Sequence, residues 1–193
     1  MKARIAQPSN DIVVPARRSF VQAGLLSAAA VALLGGKDAL AAKKADANAS
    51  AGDIDILNVA LAAEQQAIAA YQVGADSGLL TPAVKSLALE FQGHHKAHAD
   101  LLAATVNKLG GKAAVAKSKY DFPTDKLKTQ ADVLRFAAGL EKGAVSAYVG
   151  AVPKFADREL SHAAATILGD EAMHWAVLRN ALGEPPVPAA FVG

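Results

Sequence analysis

The sequence contains no cysteine among its 193 residues. Disulfide scaffolds and thiol redox chemistry are therefore excluded. Any metal that the chain binds has to be held by oxygen and nitrogen ligands, which carboxylates and imidazoles supply. Aromatic residues are also scarce, at 5%, whereas alanine is abundant. This composition favours helices, because alanine is the best helix former and pays no side-chain entropy.

Basic stripes and long apolar runs are missing as well. The chain has 20 basic and 18 acidic residues, and its lysines and arginines are not interleaved with aromatics, so nucleic-acid binding is not expected. The longest apolar stretch, residues 23–34, has about 12 residues, whereas a membrane-spanning helix needs about 20. We therefore expect no permanent membrane span.

The first 42 residues have the organisation of an export signal. Residues 17–22 read Arg-Arg-Ser-Phe-Val-Gln and resemble a twin-arginine motif, with glutamine in place of the usual lysine. The apolar stretch follows, and small residues then permit cleavage after Ala41 or Ala42. We predict a cleavable twin-arginine-type signal peptide at 1–42, recognised by the twin-arginine export machinery, and a periplasmic or secreted protein. The alternative is an uncleaved tether or a disordered arm.

Apolar residues recur at helical spacing in four segments after a linker at 43–52. The predicted helices run from about Ile54 to Gly74, from Pro82 to Leu109, from Gln130 to Val152 and from Asp157 to Leu182. Thr81 is a candidate cap for the second helix. Residues 110–129 lack a helical period and form the only long connection. We predict an all-α four-helix bundle at 53–183 with this crossover between helices 2 and 3, and a proline-rich tail at 184–193.

The two halves of the predicted bundle repeat each other. Glu64 and Tyr71 of the first helix align with Glu141 and Tyr148 of the third at a constant offset of 77 residues. The second and fourth helices align at an offset of 76 residues, which places residues 93–98 over 169–174. A doubled helix pair accounts for the crossover, because the second pair can then pack on the first with approximate two-fold symmetry.

Residues of metal-ligand type share faces on all four helices. Glutamate and tyrosine seven residues apart are almost two turns apart, so each pair shares a face. Glu171 and His174 are three residues apart and can offer an oxygen and a nitrogen to one ion. Since unpaired buried charge is costly, this recurrence on otherwise apolar faces favours a buried metal site. The alternative is a metal-free bundle with solvated glutamates, surface histidines and core tyrosines.

With this pattern the chain resembles the ferritin-like superfamily, and most closely its exported members with Glu-x6-Tyr on helices 1 and 3. The resemblance covers about residues 54–182. It implies a ferritin-like bundle that binds a pair of iron or manganese ions. It implies Glu64 and Glu141 as terminal carboxylates and Glu171 as a bridging carboxylate. It implies His98 and His174 as nitrogen ligands. The hydroxyls of Tyr71 and Tyr148 would orient ligands on an opposing helix.

His95 departs from the superfamily pattern, which has glutamate at this position. We count His95 as a sixth ligand, so the set has three carboxylates and three imidazoles. Two ions are expected and one is the alternative, and the additional nitrogen also opens the site to copper or zinc. Glu90 does not compensate, because five residues place it about 140° around the helix from His95.

Two redox ions close together imply chemistry on oxygen or peroxide, as in a ferroxidase, a peroxidase or a catalase-like enzyme. The alanine-rich helices show no pocket for an organic substrate, which argues against a hydroxylase. The competing hypothesis is a non-catalytic exported bundle for stress protection or metal buffering. A lone adhesive or membrane-surface helix is disfavoured, because four similar amphipathic segments bury one another. A homo-oligomer is compatible with the sequence.

Overall fold

The computed structural model of the protein describes residues 47–192, with side chains from residue 51. The predicted signal peptide and residues 43–46 of the linker lie outside the described residues. The described chain folds into four α-helices, α1 (Ala47–Asp76), α2 (Pro82–Lys108), α3 (Gln130–Ala151) and α4 (Arg158–Ala181). Two 3-10 turns, Thr124–Lys126 and Val152–Lys154, complete the regular structure of this region, which contains no strand.

The four-helix, all-α fold predicted from the sequence is confirmed. α1 packs mainly on α2 and α3 mainly on α4, and the two pairs meet where α1 faces α3. One apolar core cluster surrounds Leu61, Val106 and Ile167, and a second surrounds Tyr71 and Phe91. The six predicted ligand residues lie between these two clusters along the bundle. None of the described helices is both long enough and apolar enough to cross a membrane.

α1 is longer at both ends than the periodicity predicted. It begins at Ala47, inside the predicted linker 43–52, and continues two residues past Gly74. The first turns of the described helix are tied to the second half of the chain, because the buried carboxylate of Asp53 accepts hydrogen bonds from the backbone N–H groups of Ala156 (2.8 Å) and Asp157 (3.0 Å). Gly74 does not end the helix. It permits close packing, since a Cβ there would lie 3.2 Å from Val133 Cγ1.

The starts of α2 and α3 are set in different ways. The predicted cap Thr81 makes no side-chain capping hydrogen bond, and Pro82, which fits the first helical position, begins α2. α3 instead begins with a reciprocal capping box between Thr129 and Asp132. The sequence thus identified both the N-cap position and the first residue of α2, but the Thr81 side chain does not make the capping hydrogen bond.

The crossover at 110–129 is held against α1. The Asn58 side chain donates to the Lys112 carbonyl (3.1 Å) and accepts from the Ala114 N–H (2.8 Å). Gln65 Nε2 donates to the Ala114 carbonyl (2.9 Å). Gly111 has no room for a side chain, because a Cβ would lie 2.8 Å from Ile54 Cγ2. The long connection therefore runs along the outside of α1, next to the turn that carries Glu64.

Candidate metal centre

A cluster of buried polar side chains lies in the middle of the bundle. All four helices contribute to it, and its members are the six predicted ligands, Glu64, His95, His98, Glu141, Glu171 and His174. Apart from His98, none is more than 3% exposed. Charged groups buried to this extent must be paired or bound to an ion. The structure thus brings together every residue that the sequence nominated as a ligand.

The donor atoms form two groups that share members. In each group the ligand atoms lie within 4.8 Å of one another. The first group consists of Glu64, His95, His98 and Glu171, and the second of His95, Glu141, Glu171 and His174. The two shared residues lie between the groups, so the cluster has two halves. Each half could hold one ion.

Glu171 faces both halves with separate oxygens. Its Oε1 lies 3.1 Å from His98 Nδ1, in the first half. Its Oε2 lies 3.6 Å from His174 Nδ1, in the second half. The side chain is fully buried at 0% exposure. A carboxylate that offers one oxygen to each side is placed to bridge two ions.

His95 is the other residue that belongs to both halves of the cluster. Its Nδ1 lies 2.8 Å from Glu64 Oε2, and its Nε2 lies 3.3 Å from Glu141 Oε1. The imidazole therefore joins the two terminal carboxylates directly. His95 stands where the superfamily pattern has a second bridging glutamate, so an imidazole and not a carboxylate lies between Glu64 and Glu141.

Two buried tyrosines orient the terminal carboxylates across the bundle. Tyr148 of α3 donates its hydroxyl hydrogen bond to Glu64 Oε1 of α1 (2.7 Å). Tyr71 of α1 donates in the same way to Glu141 Oε1 of α3. Burial and the neighbouring carboxylates raise the pKa of both tyrosines, so both hydroxyls remain protonated donors. Their contacts are those that the resemblance implied.

Sequence reasoning missed a second, outer layer made by His94 and Asp170. Asp170 Oδ2 lies 3.3 Å from Nε2 of both His98 and His174. His94 Nδ1 lies 3.1 Å from the same oxygen and 2.8 Å from His174 Nε2. One carboxylate therefore fixes the outer nitrogens of two imidazoles whose Nδ1 atoms approach Glu171. The repeat carried the signal, because residues 94 and 170 align.

The three imidazoles of the cluster have strongly raised pKa values. Burial alone would lower them, but the surrounding carboxylates favour the charged form and outweigh it. Contacts with Glu141 and Glu64 raise the pKa of His95 to about 10. The pKa of His98 is raised to about 11 and that of His174 to about 9. In the metal-free protein all three are protonated at neutral pH.

The carboxylates divide into two kinds. Burial opposes the charge on Glu64, but its contacts with His95 and His98 lower its pKa to about 2. The pKa values of Glu141 and Asp170 are also lowered by imidazole contacts that outweigh burial. For Glu171 burial dominates, and its pKa is raised. The metal-free cluster is therefore a network of imidazolium and carboxylate groups with one carboxyl that resists ionisation.

Several buried polar atoms of the cluster make no hydrogen bond within the described part of the chain, although His98 Nδ1 and Glu171 Oε1 lie 3.1 Å apart as an ion pair. The atoms without a hydrogen bond are His98 Nδ1, Glu141 Oε2, both carboxylate oxygens of Glu171, and His174 Nδ1. Buried polar atoms without partners are rare in native proteins and call for a ligand or an ion. A cation would satisfy these atoms, and a mixed oxygen and nitrogen donor set suits iron and manganese. The residues present therefore fit a metal site.

We expect the metal-free protein to lose stability between pH 6.5 and pH 10. The imidazole pKa values lie above their ordinary value of 6.5, so their stabilising contribution is complete below that pH and is lost as the pH rises through about 9 to 11. With metal bound the trend should reverse, because metal binds the deprotonated ligands. Thermal unfolding at pH 6.5 and 9.5, with chelator and with Mn²⁺, measures both trends.

Each kcal/mol lost should lower the unfolding midpoint by roughly 4 °C. The exposed His162→Ala variant is the control and should show the same pH dependence as the unchanged protein. A metal-free midpoint that does not fall on the alkaline side would contradict the charge network described above.

The family model of the ferritin-like domain matches residues 52–184. The chain belongs to the ferritin-like family. This ferritin-like protein also resembles a conserved hypothetical protein from Mycobacterium tuberculosis, with 26% identity, a TM-score of 0.64, and coverage of 74% of this chain and 99% of that one. A second similar structure bears the description ferritin like, diiron-carboxylate proteins from Bacillus anthracis str. Ames. It shares 21% identity and a TM-score of 0.61, over 69% of this chain and 97% of that one. No curated protein matches the chain.

Proposed function

We propose that this ferritin-like protein binds two iron or manganese ions and uses them to reduce oxygen or peroxide. The observation that carries the proposal is Glu171, a buried carboxylate with one oxygen toward each half of the cluster and no hydrogen bond to either oxygen. The similar Bacillus anthracis structure is described as diiron-carboxylate, which supports iron. The mixed donor set is equally compatible with manganese.

Two redox ions held at this cluster would supply one electron each, which suits the two-electron reduction of oxygen or peroxide. The chain's own residues would hold the ligands in position and limit the access of water to them. Tyr71 and Tyr148 fix the terminal carboxylates, and Asp170 fixes the outer nitrogens of His98 and His174. Burial between two apolar clusters limits the access of water to the ligands, none of which except His98 is more than 3% exposed. The arrangement suits a ferroxidase, a peroxidase or a catalase-like enzyme.

Reduction of oxygen or peroxide consumes protons, and the outer layer offers a route for them. The side chain of His94 is 41% exposed and lies 3.1 Å from Asp170 Oδ2. Asp170 in turn contacts the outer nitrogens of His98 and His174. His94 therefore connects solvent to the outer nitrogens of the two imidazoles. A proton bound at its Nε2 can be matched by release of the Nδ1 proton toward His174 Nε2, which lies 2.8 Å away, with Asp170 Oδ2 fixing both rings.

The export part of the proposal depends on the twin-arginine-type motif at residues 17–22. Twin-arginine signals are known for carrying proteins that fold before export, often with a cofactor already in place. A metal site buried inside a folded bundle is compatible with this route. We therefore infer that the protein acts in the periplasm or outside the cell.

The contacts of His95 favour a second candidate function, metal buffering without catalysis. His95 lies within hydrogen-bond distance of both Glu64 (2.8 Å) and Glu141 (3.3 Å). An imidazolium at this position would offset part of the buried negative charge whenever no metal is bound. A metal buffer has to stay folded without its metal, and such ion pairs would favour that.

Metal analysis of the protein purified from its exported fraction tests the proposal. The unchanged protein should carry about two ions of iron or manganese per chain, one for each half of the cluster. The double variant Glu64→Ala, Glu141→Ala should lose them, because even contacts outside the ligand set change metal affinity by about 10- to 100-fold. The matched control Glu90→Ala, Glu159→Ala removes two exposed glutamates and should retain the metal.

Less than about one transition-metal ion in both the unchanged protein and the double variant would refute the metalloprotein proposal. If the metal is present, a peroxide-consumption assay on the loaded protein separates the two functions. Turnover supports the oxidoreductase, and stoichiometric uptake and release of metal without turnover supports the buffer.

A further inference from the structure

An open groove runs between α1 and α3, with a volume of about 710 Å³. Its walls are mostly apolar, and it is open to solvent along one side. From the alanine-rich helices we expected no pocket for an organic molecule. Known binding pockets for small organic molecules have volumes of about 300–1,000 Å³ and mostly apolar walls. The groove lies within this range and greatly exceeds the space that dioxygen or peroxide needs.

Small residues on the two facing helices create the groove. Ala63 and Ala67 on α1 and Gly139, Gly143 and Gly150 on α3 all line it. A Cβ placed at any of these three glycines would meet no atom within 4 Å. In an alanine-rich sequence such residues suggest tight helix packing. α1 and α3 do pack closely at Gly74 and Val133, but they leave this space open beside residues 55–67 of α1.

The floor of the groove is the candidate metal centre. Glu64, His95, Glu141 and Tyr148 line it, and each is at most 4% exposed. A molecule in the groove would therefore lie next to the side chains of the cluster, which reach the groove only through this small exposed fraction. On the opposite side, between α2 and α4, the cluster is covered by the polar layer of His94 and Asp170.

The shape and charge of the groove restrict what it can hold. Its lining extends over residues 55–67 of α1 and as far as Lys154 after α3, which corresponds to a length of roughly 20 Å at about 1.5 Å per residue. Tyr148 pairs with Glu64 and Glu141 with Tyr71, so α1 and α3 run antiparallel. Asp55 and Lys154 therefore lie at the same end with opposite charges, and at the floor Glu64 and Glu141 are both in contact with His95. The rest of the lining is uncharged, so the walls offer no unpaired charge to a cationic or an anionic ligand.

We propose that the groove binds an uncharged organic molecule with a long apolar chain and holds it against the metal centre. The inference deepens the proposed function by naming the class of organic ligand that this site would take. It rests on that function only for the contact with metal, because the apolar walls are present in the metal-free protein. Binding can therefore be tested with and without metal.

Titration calorimetry with 1-hexanol, 1-octanol and 1-decanol tests the proposal on the full chain. Affinity should rise by up to about fourfold for each added CH2, the increment for transfer of one methylene from water. Gly143→Leu should weaken 1-decanol binding by at least tenfold, because the new side chain fills the groove, and should leave metal content unchanged. Gly169→Leu is the matched control, since it is also an exposed helical glycine whose Cβ would meet nothing within 4 Å.

Chain-length-dependent binding that Gly143→Leu removes and Gly169→Leu retains supports the proposal, in the chelated protein as well as in the loaded one. Absence of alkanol binding, or equal loss in both variants, overturns it. A shift from dimer to monomer in sedimentation of Gly143→Leu, without any alkanol effect, also overturns it and assigns the groove to a second copy of the chain. If alkanols bind but no metal does, the groove proposal stands and the proposed function fails.

Discussion

Glu171→Gln should reduce metal affinity by more than about 100-fold, since the loss of contacts that merely orient ligands already costs about 10- to 100-fold. Glu171 is the one carboxylate with an oxygen toward each half of the cluster. Its amide replacement keeps the shape of the side chain but removes the negative charge. The two halves then no longer share an anionic ligand, so the affinity for both ions should fall together.

The metal-free variant should remain as stable as the unchanged protein, or become more stable. Burial raises the pKa of Glu171, so the folded protein resists ionising it and accepts a neutral group in its place. Unfolding in chelator therefore separates loss of metal from loss of fold. Glu90→Gln, at an exposed position on α2, is the control and should bind metal normally. Full metal content in Glu171→Gln would show that this carboxylate does not bridge.

His95→Glu should have the largest effect on stability, and the effect should depend on metal. In the metal-free protein His95 is the cation between Glu64 and Glu141, and all three are buried. Removing one partner of a buried ion pair costs about 3–5 kcal/mol. Here the replacement also adds a fourth carboxyl, so a loss of at least about 3 kcal/mol is expected. Chemical denaturation in chelator measures it.

With Fe²⁺ or Mn²⁺ present, the same variant should recover its stability and bind two ions more firmly than the unchanged protein. The new glutamate completes the four-carboxylate set of the superfamily pattern, which two divalent cations would neutralise. His162→Glu makes the same chemical change at an exposed position on α4 and should alter neither property. If His95→Glu is equally stable with and without chelator, His95 does not link the two halves.

The sequence predicted most of the architecture because helix boundaries are encoded locally. Pro82 and Gln130 begin their helices as predicted, and the crossover lies where periodicity stops. The contact between Asp53 and the second half of the chain could not be predicted in this way. Asp53 accepts hydrogen bonds from the backbone of Ala156 and Asp157, more than a hundred residues along the chain. Such a contact leaves no periodic signal in the sequence around residue 53.

The ligand set could be predicted from the sequence for a related reason, whereas the outer layer of His94 and Asp170 and the groove were not predicted. Recurrence between the halves identified the residues that face the bundle axis, including His95 and Glu171. His94 and Asp170 each precede such a residue by one position, which on a helix indicates a different face. Their role arises because the imidazoles of α2 and α4 expose their outer nitrogens to that face. The groove was missed because small residues do not reveal how far apart two helices stand.

The crossed tyrosine contacts make the two halves of the chain dependent on each other. Tyr148 of the second half fixes Glu64 of the first, and Tyr71 of the first half fixes Glu141 of the second. A single helical hairpin could not assemble an ordered ligand set, however well it folded. Each hairpin therefore supplies the tyrosine that holds a carboxylate of the other hairpin. The full set of ligands can be ordered only when both hairpins have docked in the correct mutual orientation.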